Sequence, residues 1–456
     1  MKIPLSITQE QFVFSKAPIA FLIGPQGEGK TYAGFMGLLN HVKTQKTVKA
    51  AIIRDTFQNI KVMTIPSIRD AISFIADLNE RPKFNLAFQF SDGGKKLIGP
   101  GIDVDLFGID DLGSLTKLQG GEYSFVWLEE PAPMYERANA GLPEAVFTAA
   151  LSRVARQRGA TPRLQITMNP ADEEHWTYKY AIANPIQRPV DLPDIYTDVF
   201  NIPYGENHNL NDIQRQTAKA AFKNDKSLWM RYIEGKFAFV VTGEKITPEY
   251  DESIHRSPVT LTPVKGRICY RMWDGGHNPT CVITQITPSG RLAVLDSLVG
   301  EGIGMTQLIR SDVKPLIASR YAEITQWFDT GDPSLQTADD SDITVSPAKV
   351  IESNLNTTYH PGVSDWYTRV EAIKYVLQNM PMLLLSHHEE KLHKAFRGGW
   401  QYPKNNQGQV SKDGAVKNIH SHPSDALSQG LPMIIGELTT KKAVRKPYVR
   451  QSWMSA

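Results

Sequence analysis

Residues 18–31 read PIAFLIGPQGEGKT, and this stretch decides the fold of the front of the chain. The run from Ile19 to Ile23 is apolar throughout, as for a strand buried on both faces. It ends at Gly24, and Gly24-Pro25-Gln26-Gly27-Glu28-Gly29-Lys30-Thr31 fits the spacing G-x-x-x-x-G-K-[ST]. A helical pattern, TYAGFMGLLNHVKT, follows. In that context backbone N–H groups turn inward on phosphates, at a helix end that already favours anions. Lys30 is the candidate for the β- and γ-phosphates, and the Thr31 hydroxyl for an accompanying Mg²⁺. The expected nucleotide is ATP. Without a nucleotide, the same residues would be an ordinary glycine-rich strand-to-helix turn.

A phosphate loop that hydrolyses needs an acidic partner, and FVWLEEP (125–131) supplies one at the end of an apolar run. Glu129 is placed to join the Mg²⁺ shell, and Glu130 to orient and deprotonate the attacking water. Two adjacent acids suit a hydrolase better than a small-molecule kinase. PIAFLIG, AAIIRDT, YSFVWLEE and RLQITMNP alternate with helical patterns, which predicts a mainly parallel sheet with ligands at the carboxyl ends of its strands.

Further along, RICYRMWDGG, NPTCVITQIT and RLAVLDSLV are β-rich runs separated by turns, and they read as an antiparallel meander. EITQWFD adds a strand, so the back of the chain is mixed α/β. Aspartates stand at element ends here: Asp274 before Gly275-Gly276, Asp329 closing EITQWF, Asp332 three residues on, and Asp425 at a helix start. Carboxylates gathered from distant points are what two Mg²⁺ or Mn²⁺ ions need for in-line attack on a phosphodiester. His422 could add an imidazole. Asp329, as the residue ending the strand, is preferred over Asp332 for the middle position. Singly, each aspartate also suits a turn or a helix cap.

Two proline-rich joints divide the chain. ANPIQRPVDLPDIYTDVFNIPYGENHN carries Pro185, Pro189, Pro193 and Pro203, and no regular element is expected across it. HRSPVTLTPVKG is the second. Between them LNDIQRQTAKAAFKNDKSLWMRYIEG reads as two helices. The expected layout is a phosphate-loop domain over 1–200, a helical connector over 201–260, a second α/β domain over 261–436 and a basic tail over 437–456. That tail holds Lys441, Lys442, Arg445, Lys446 and Arg450.

Composition narrows the classes further. Hydrophobic residues at 41% and charged residues at 21% are globular values. Two cysteines, Cys269 and Cys281, argue against a disulfide-stapled secreted fold. No apolar run approaches the ~20 residues needed to cross a bilayer, and MKIPLSITQEQF lacks the apolar stretch of a signal peptide, so a soluble intracellular protein is expected. A net charge of +2 is too even for a non-specific nucleic-acid clamp, though it leaves room for a local basic groove.

The order of these features resembles the large terminase subunit of tailed bacteriophages: an early phosphate loop, a strand ending Glu-Glu, a strand ending Thr-Met-Asn-Pro, then Trp-Asp-Gly-Gly and a late His-Pro-Ser-Asp-Ala-Leu. The resemblance runs from about Thr8 to Leu431. It implies a P-loop ATPase followed by a ribonuclease-H-like nuclease, an ATP-driven motor that packages double-stranded DNA into a capsid and a metal-dependent endonuclease that cuts concatemers. It also implies a homo-oligomeric ring on the phage portal protein, a small terminase partner and the cytoplasm of an infected bacterial host, with no membrane role. By resemblance, Gln11 reads adenine. Thr167, Met168 and Asn169 couple hydrolysis to movement. Asp274, Asp329 and Asp425 form the nuclease triad, with His422 beside the last. Gln26 stands where many relatives carry an arginine, so an arginine finger is expected from elsewhere, with Arg153, Arg156 and Arg158 as candidates. A helicase–nuclease of DNA repair and a nucleotide-switched scaffold with a decayed nuclease are the rival readings.

Overall fold

A computed structural model describes residues 3–109, 113–132, 141–239, 241, 243–337, 346–379, 382–405, 407 and 409–440, so most of the basic tail lies outside the described residues. The chain forms two compact units that divide between residues 240 and 241.

The first unit is built on eight strands: β1 (Ile19–Ile23), β2 (Val48–Arg54), β3 (Gln89–Ser91), β4 (Lys96–Gly99), β5 (Ile102–Gly108), β6 (Phe125–Glu129), β7 (Arg163–Met168) and β8 (Thr197–Asn201). They lie in the order β3-β4-β5-β2-β6-β7-β1-β8. From β5 to β8 all neighbours run parallel, while β3 and β4 add an antiparallel edge. Every residue of β1, β6 and β7 is buried, as an apolar strand covered on both faces must be. One face packs Phe12, Phe35, Ile68, Ile72 and Trp127, and the other Phe21, Ile53, Leu128, Phe147 and Trp176. Because the strands are parallel, Ile23, Glu129 and Met168 finish at one edge of the sheet. That edge carries the phosphate loop.

The first proline-rich joint is more ordered than its sequence implies. β8 forms within it as an edge strand paired with β1, because Pro193 and Pro203 fall outside the strand and leave its N–H groups free to pair. The two helices expected next are Asp212–Phe222 and Lys226–Tyr232, and both belong to the first unit. The stretch read as one connector is therefore divided, and its residues after 240 belong to the second unit.

The second unit holds β9 (Glu244–Lys245), β10 (Cys269–Asp274), β11 (Thr280–Ile286), β12 (Leu292–Val299), β13 (Trp327–Gly331), β14 (Tyr359–Pro361), β15 (Leu383–Leu385) and β16 (Gln401–Tyr402). Its six-stranded sheet has the order β14-β13-β10-β11-β12-β15, and β9 pairs with β16. β10, β11 and β12 make the antiparallel meander, and β13 and β14 extend it parallel to β10. This is the ribonuclease-H-like arrangement. The helix Ser421–Thr440 lies on one face, burying Ala426, Leu427, Leu431 and Ile434 beside Met272 and Val282. Its approach is close: a Cβ added at Gly430 would stand 2.7 Å from Met272 Cγ and 3.0 Å from Thr330 Cγ2. Among the described residues, no helix is long and apolar enough to cross a membrane.

Candidate functional sites

At the carboxyl edge of the first sheet, β1 passes into the phosphate loop and then the helix Lys30–Gln45. Gly27 and Gly29 take φ of 82° and 75°, left-handed values that a side chain resists. Buried Lys30 donates to the Pro25 carbonyl at 2.7 Å and to Asn169 Oδ1 at 2.8 Å. Burial lowers the Lys30 pKa, and the charges of Glu130, Glu28 and Glu129 oppose that shift.

Glu129 ends β6 fully enclosed. It accepts from the Thr64 hydroxyl, and Arg54 NH1 stands 3.6 Å away. Burial pushes its carboxyl up, while Arg54, Thr64 and Thr31 favour the charged form. Thr31 and Glu129 thus bring two hard oxygen donors together, a set that suits Mg²⁺. Glu130 follows at φ 43°, a strained value for a residue with a Cβ. The Asn169 backbone N–H donates to Glu130 Oε2 at 3.0 Å, and the Asn169 amide group donates to both carboxylate oxygens at 3.2 Å. Asn169 therefore bridges Lys30 and Glu130 through one side chain. Thr167 accepts from the Trp127 indole at 2.8 Å, and Met168 is buried in the core.

Some expected residues do not reach this site. Gln11 is exposed, and it is Gln9 that touches the loop, donating to the Glu28 carbonyl at 3.0 Å and the Gly29 carbonyl at 3.3 Å. Two helical steps rotate a side chain by about 200°, so Gln9 and Gln11 occupy opposite sides of the helix Ile7–Phe14. Arg153, Arg156 and Arg158 gather at the amino ends of β6 and β7: Tyr123 N donates to Arg153 O, and Arg156 N to Tyr123 O. The phosphate loop is at the opposite edge, so within one chain these arginines do not meet it.

Glu28 was expected only as a loop position, yet it is a buried anchor. Its carboxylate accepts from Gly205 N at 2.9 Å, Asn207 N at 2.7 Å and Arg215 NH1 at 3.0 Å. Arg54, Thr64 and Arg215 had no local signal, since each joins the site across a long stretch of chain.

In the second unit, β10 ends at Asp274 and the last helix carries His422 and Asp425 to the same place. His422 Nδ1 is 3.4 Å from Asp274 Oδ2. Asp425 is almost fully enclosed and has a cation on each oxygen: Arg369 NH2 at 2.6 Å on Oδ1 and Lys417 Nζ at 2.7 Å on Oδ2. Burial raises the Asp274 pKa, the His422 hydrogen bond and Lys417 oppose this, and the charges of Asp425 and Asp332 add to it. The charges of Asp425 and Asp332 thus act on Asp274, and the Asp332 N–H donates to the carbonyl of Trp273, the residue before Asp274, at 2.9 Å.

Asp329 does not join them. β13 runs on to Gly331, so Asp329 is its middle residue rather than its end. Asp329 is the register partner of Arg271, and the two side chains meet on the face opposite Asp274. Its carboxylate is filled by Arg271, the Trp273 indole at 2.8 Å and the Thr357 hydroxyl at 2.7 Å. Asp332, just past the strand, caps the short turn at Ser334 with one oxygen, 2.8 Å from its N–H. Among the described residues no three His, Cys, Asp or Glu side chains already stand in a metal-holding group. The contact between Asp274 and His422 pairs a carboxylate oxygen with an imidazole, donor types that suit Mg²⁺ or Mn²⁺.

No family model matches the chain, and no curated protein matches it. Among solved structures it is similar to the large terminase from a thermophilic bacteriophage, at 15% identity and a TM-score of 0.41, over 95% of this chain and 100% of that one. It is similar to the HK97 bacteriophage large terminase at 12% identity and a TM-score of 0.41, over 94% and 95%. It is also similar to the P22 large terminase nuclease domain at 9% identity and a TM-score of 0.30, over 44% of this chain and 97% of that one. Each of the three is a large terminase or part of one.

Proposed function

We propose that the chain is the motor and nuclease of viral DNA packaging, an ATPase that moves double-stranded DNA and an endonuclease that cuts it. The observation that carries this reading is one polypeptide holding the Lys30–Asn169–Glu130 network on a P-loop sheet and the Asp274–Asp425–Asp332 site on a ribonuclease-H-like sheet.

In the first unit, backbone N–H groups of residues 27–31 receive the phosphates, and Lys30 exchanges Pro25 and Asn169 for phosphate oxygens. Thr31 and Glu129 would hold Mg²⁺, which neutralises charge on the phosphates when bound. Release of Asn169 from Lys30 alters its grip on Glu130, the base that aligns and deprotonates water. Thr167, Met168 and Asn169 thereby link the phosphate to β7. Glu28 passes a change in the loop to Arg215 and so to the helix Asp212–Phe222. Gln9 sets the loop's position and takes, in this reading, the nucleotide-side role expected of Gln11.

In the second unit, Asp274, Asp425 and Asp332, with His422, would hold divalent metal, which activates water for attack on a phosphodiester. Asp329 orders the sheet from behind. Partners in this reading are double-stranded DNA, a portal protein, a small terminase subunit and further copies of the chain in a ring, in the cytoplasm of an infected host.

The test is plasmid cleavage in Mn²⁺ or Mg²⁺ by the purified chain beside Asp274→Ala and Lys30→Ala. Cleavage that survives Lys30→Ala and vanishes with Asp274→Ala supports the reading. Strand displacement on a forked duplex would favour a helicase–nuclease instead. Absence of cutting in any metal would favour a nucleotide-switched scaffold.

A further inference from the structure

Glu129 is gripped by two residues that lie outside the phosphate-loop motif. β2 pairs with β6 in the register Ile53 to Leu128, so Arg54 and Glu129, the last residues of the two strands, finish side by side. Beyond β2 the chain turns through Phe57–Asn59 and then Ile60–Thr64, a π-helical turn of a kind that is rare and gathers at functional sites. Asp55 pins this turn, accepting from the Thr56 N–H at 2.8 Å and from the Asn59 amide group at 2.8 Å and 2.9 Å. Its last residue, Thr64, is fully enclosed. The Thr64 hydroxyl donates to Glu129 Oε2, and Arg54 NH1 donates to the Thr64 oxygen at 3.5 Å while standing 3.6 Å from Oε2 itself. Both residues therefore act on one oxygen of the carboxylate.

The geometry separates this grip from an ordinary buried ion pair. On Asp329 the Arg271 guanidinium closes on both oxygens at 2.8 Å and 2.7 Å, as suits a pair whose task is to neutralise charge. Arg54 instead stands off at 3.6 Å, and its enclosed Nε has no hydrogen-bond partner among the described residues. What the Arg54 and Thr64 contacts fix is the direction of the carboxylate. With Oε2 tied, rotation about the last bond of the Glu129 side chain is blocked, and Oε1 takes a set direction. This is the carboxylate assigned, with Thr31, to Mg²⁺ in the reading above. Outer partners that orient a metal ligand in this way typically carry about 10–100-fold of metal affinity or activity.

Resting on the ATPase reading above, we propose that Arg54 and Thr64 are positioning residues of the nucleotide site: they fix Glu129 Oε2 so that the carboxylate faces the Mg²⁺ carried by the nucleotide, and they set how strongly Mg²⁺ tightens nucleotide binding. The Thr64 hydroxyl supplies the direction, and Arg54 holds that hydroxyl and the negative charge in place.

The experiment is equilibrium binding of a slowly hydrolysed fluorescent ATP analogue to the full-length chain, in excess Mg²⁺ and in EDTA, with Lys30→Ala as the reference. The ratio of the two affinities reads the contribution of the metal. In Arg54→Gln and Thr64→Val, binding in EDTA is expected to match the wild type, while the gain on adding Mg²⁺ shrinks about ten-fold. Thr64→Ser keeps the hydroxyl and is expected to keep the gain. Matching affinity in EDTA also shows that the fold survives, and if Arg54→Gln does not fold, the two Thr64 variants decide. A full Mg²⁺ gain in Arg54→Gln or Thr64→Val would overturn the proposal and leave the ATPase reading intact. So would an equal weakening in EDTA and in Mg²⁺, or a loss in Thr64→Ser as large as in Thr64→Val. If the wild type binds the analogue no better than Lys30→Ala, or gains nothing from Mg²⁺, the ATPase reading fails and the proposal with it.

Discussion

Asp329 and Arg271 form a two-pronged ion pair, Nε to Oδ1 at 2.8 Å and NH2 to Oδ2 at 2.7 Å, on the sheet face turned away from Asp274. The pair is enclosed, with Asp329 fully buried. Removing one partner strands a buried charge, which typically costs about 3–5 kcal/mol. Asp329→Ala is therefore expected to lower the melting temperature of the second unit sharply. Asp332→Asn is expected to melt as the wild type does and to lose cleavage. Parallel thermal melts and plasmid assays check this, and lost cleavage with normal melting in Asp329→Asn would reverse the assignment.

The Asn169 side chain joins Lys30 to Glu130, so its loss separates phosphate sensing from base positioning. Glu130→Gln is expected to lower ATP turnover by roughly 10²–10⁴-fold, the usual range for a general base. Nucleotide affinity should change little. Asn169→Ala is expected to fall between this variant and the wild type. Steady-state hydrolysis paired with equilibrium nucleotide binding separates the two effects, and equal losses in both would rule out a coupling role.

Gln9 holds two carbonyls of the phosphate loop and Gln11 holds none. At about 0.5–1.5 kcal/mol per hydrogen bond, Gln9→Ala is expected to weaken ATP binding by roughly 10-fold. Gln11→Ala should stay within about two-fold of the wild type, given its exposure. Titration with a fluorescent ATP analogue decides it, and the opposite ranking would restore Gln11.

Glu389 gives the second unit a pH dependence. Burial raises its carboxyl from an ordinary value near 4.5 to about 7, with Leu392 N–H, Ser297 and Lys391 opposing and Asp296 adding. A folded pKa above the unfolded one means the folded state holds the proton more tightly. That stabilisation is complete below pH ~4.5 and is lost as pH rises to about 7, after which it changes no further. The span corresponds to roughly 3–4 kcal/mol. Glu389→Gln keeps an oxygen for the Leu392 N–H and should flatten this decline, making the variant more stable than the wild type at pH 8. Denaturant melts at pH 5 and pH 8 test it, and parallel pH dependence in both chains would refute it.

Much of the molecule is legible before folding. The phosphate loop can be read because its chemistry lies in consecutive backbone N–H groups from Gly24 to Thr31. β1, β2, β6 and β7 can be read because buried parallel strands are continuous apolar runs. Asp274 and Asp425 can be nominated from their place at the end of a strand and the start of a helix. β8 could not be read, since proline spacing marks where strands stop and not whether the gap between them pairs. β3, β4 and β5 were also missed, being short or carrying aspartates at alternate positions.

The sequence by itself determined the chemistry available to this protein: a phosphate loop, paired glutamates and a set of aspartates on two α/β frames. Tertiary structure decided which members of each set meet. Asp332 was separated from Asp329, and Gln9 from Gln11, by two residues of strand and two steps of helix that turned one side chain towards the site and the other away. Arg369, Arg271, Arg54 and Arg215 became partners of the acids only through folding. Ion pairs depend on distance in space, and each of these arginines reaches its carboxylate across a long stretch of chain.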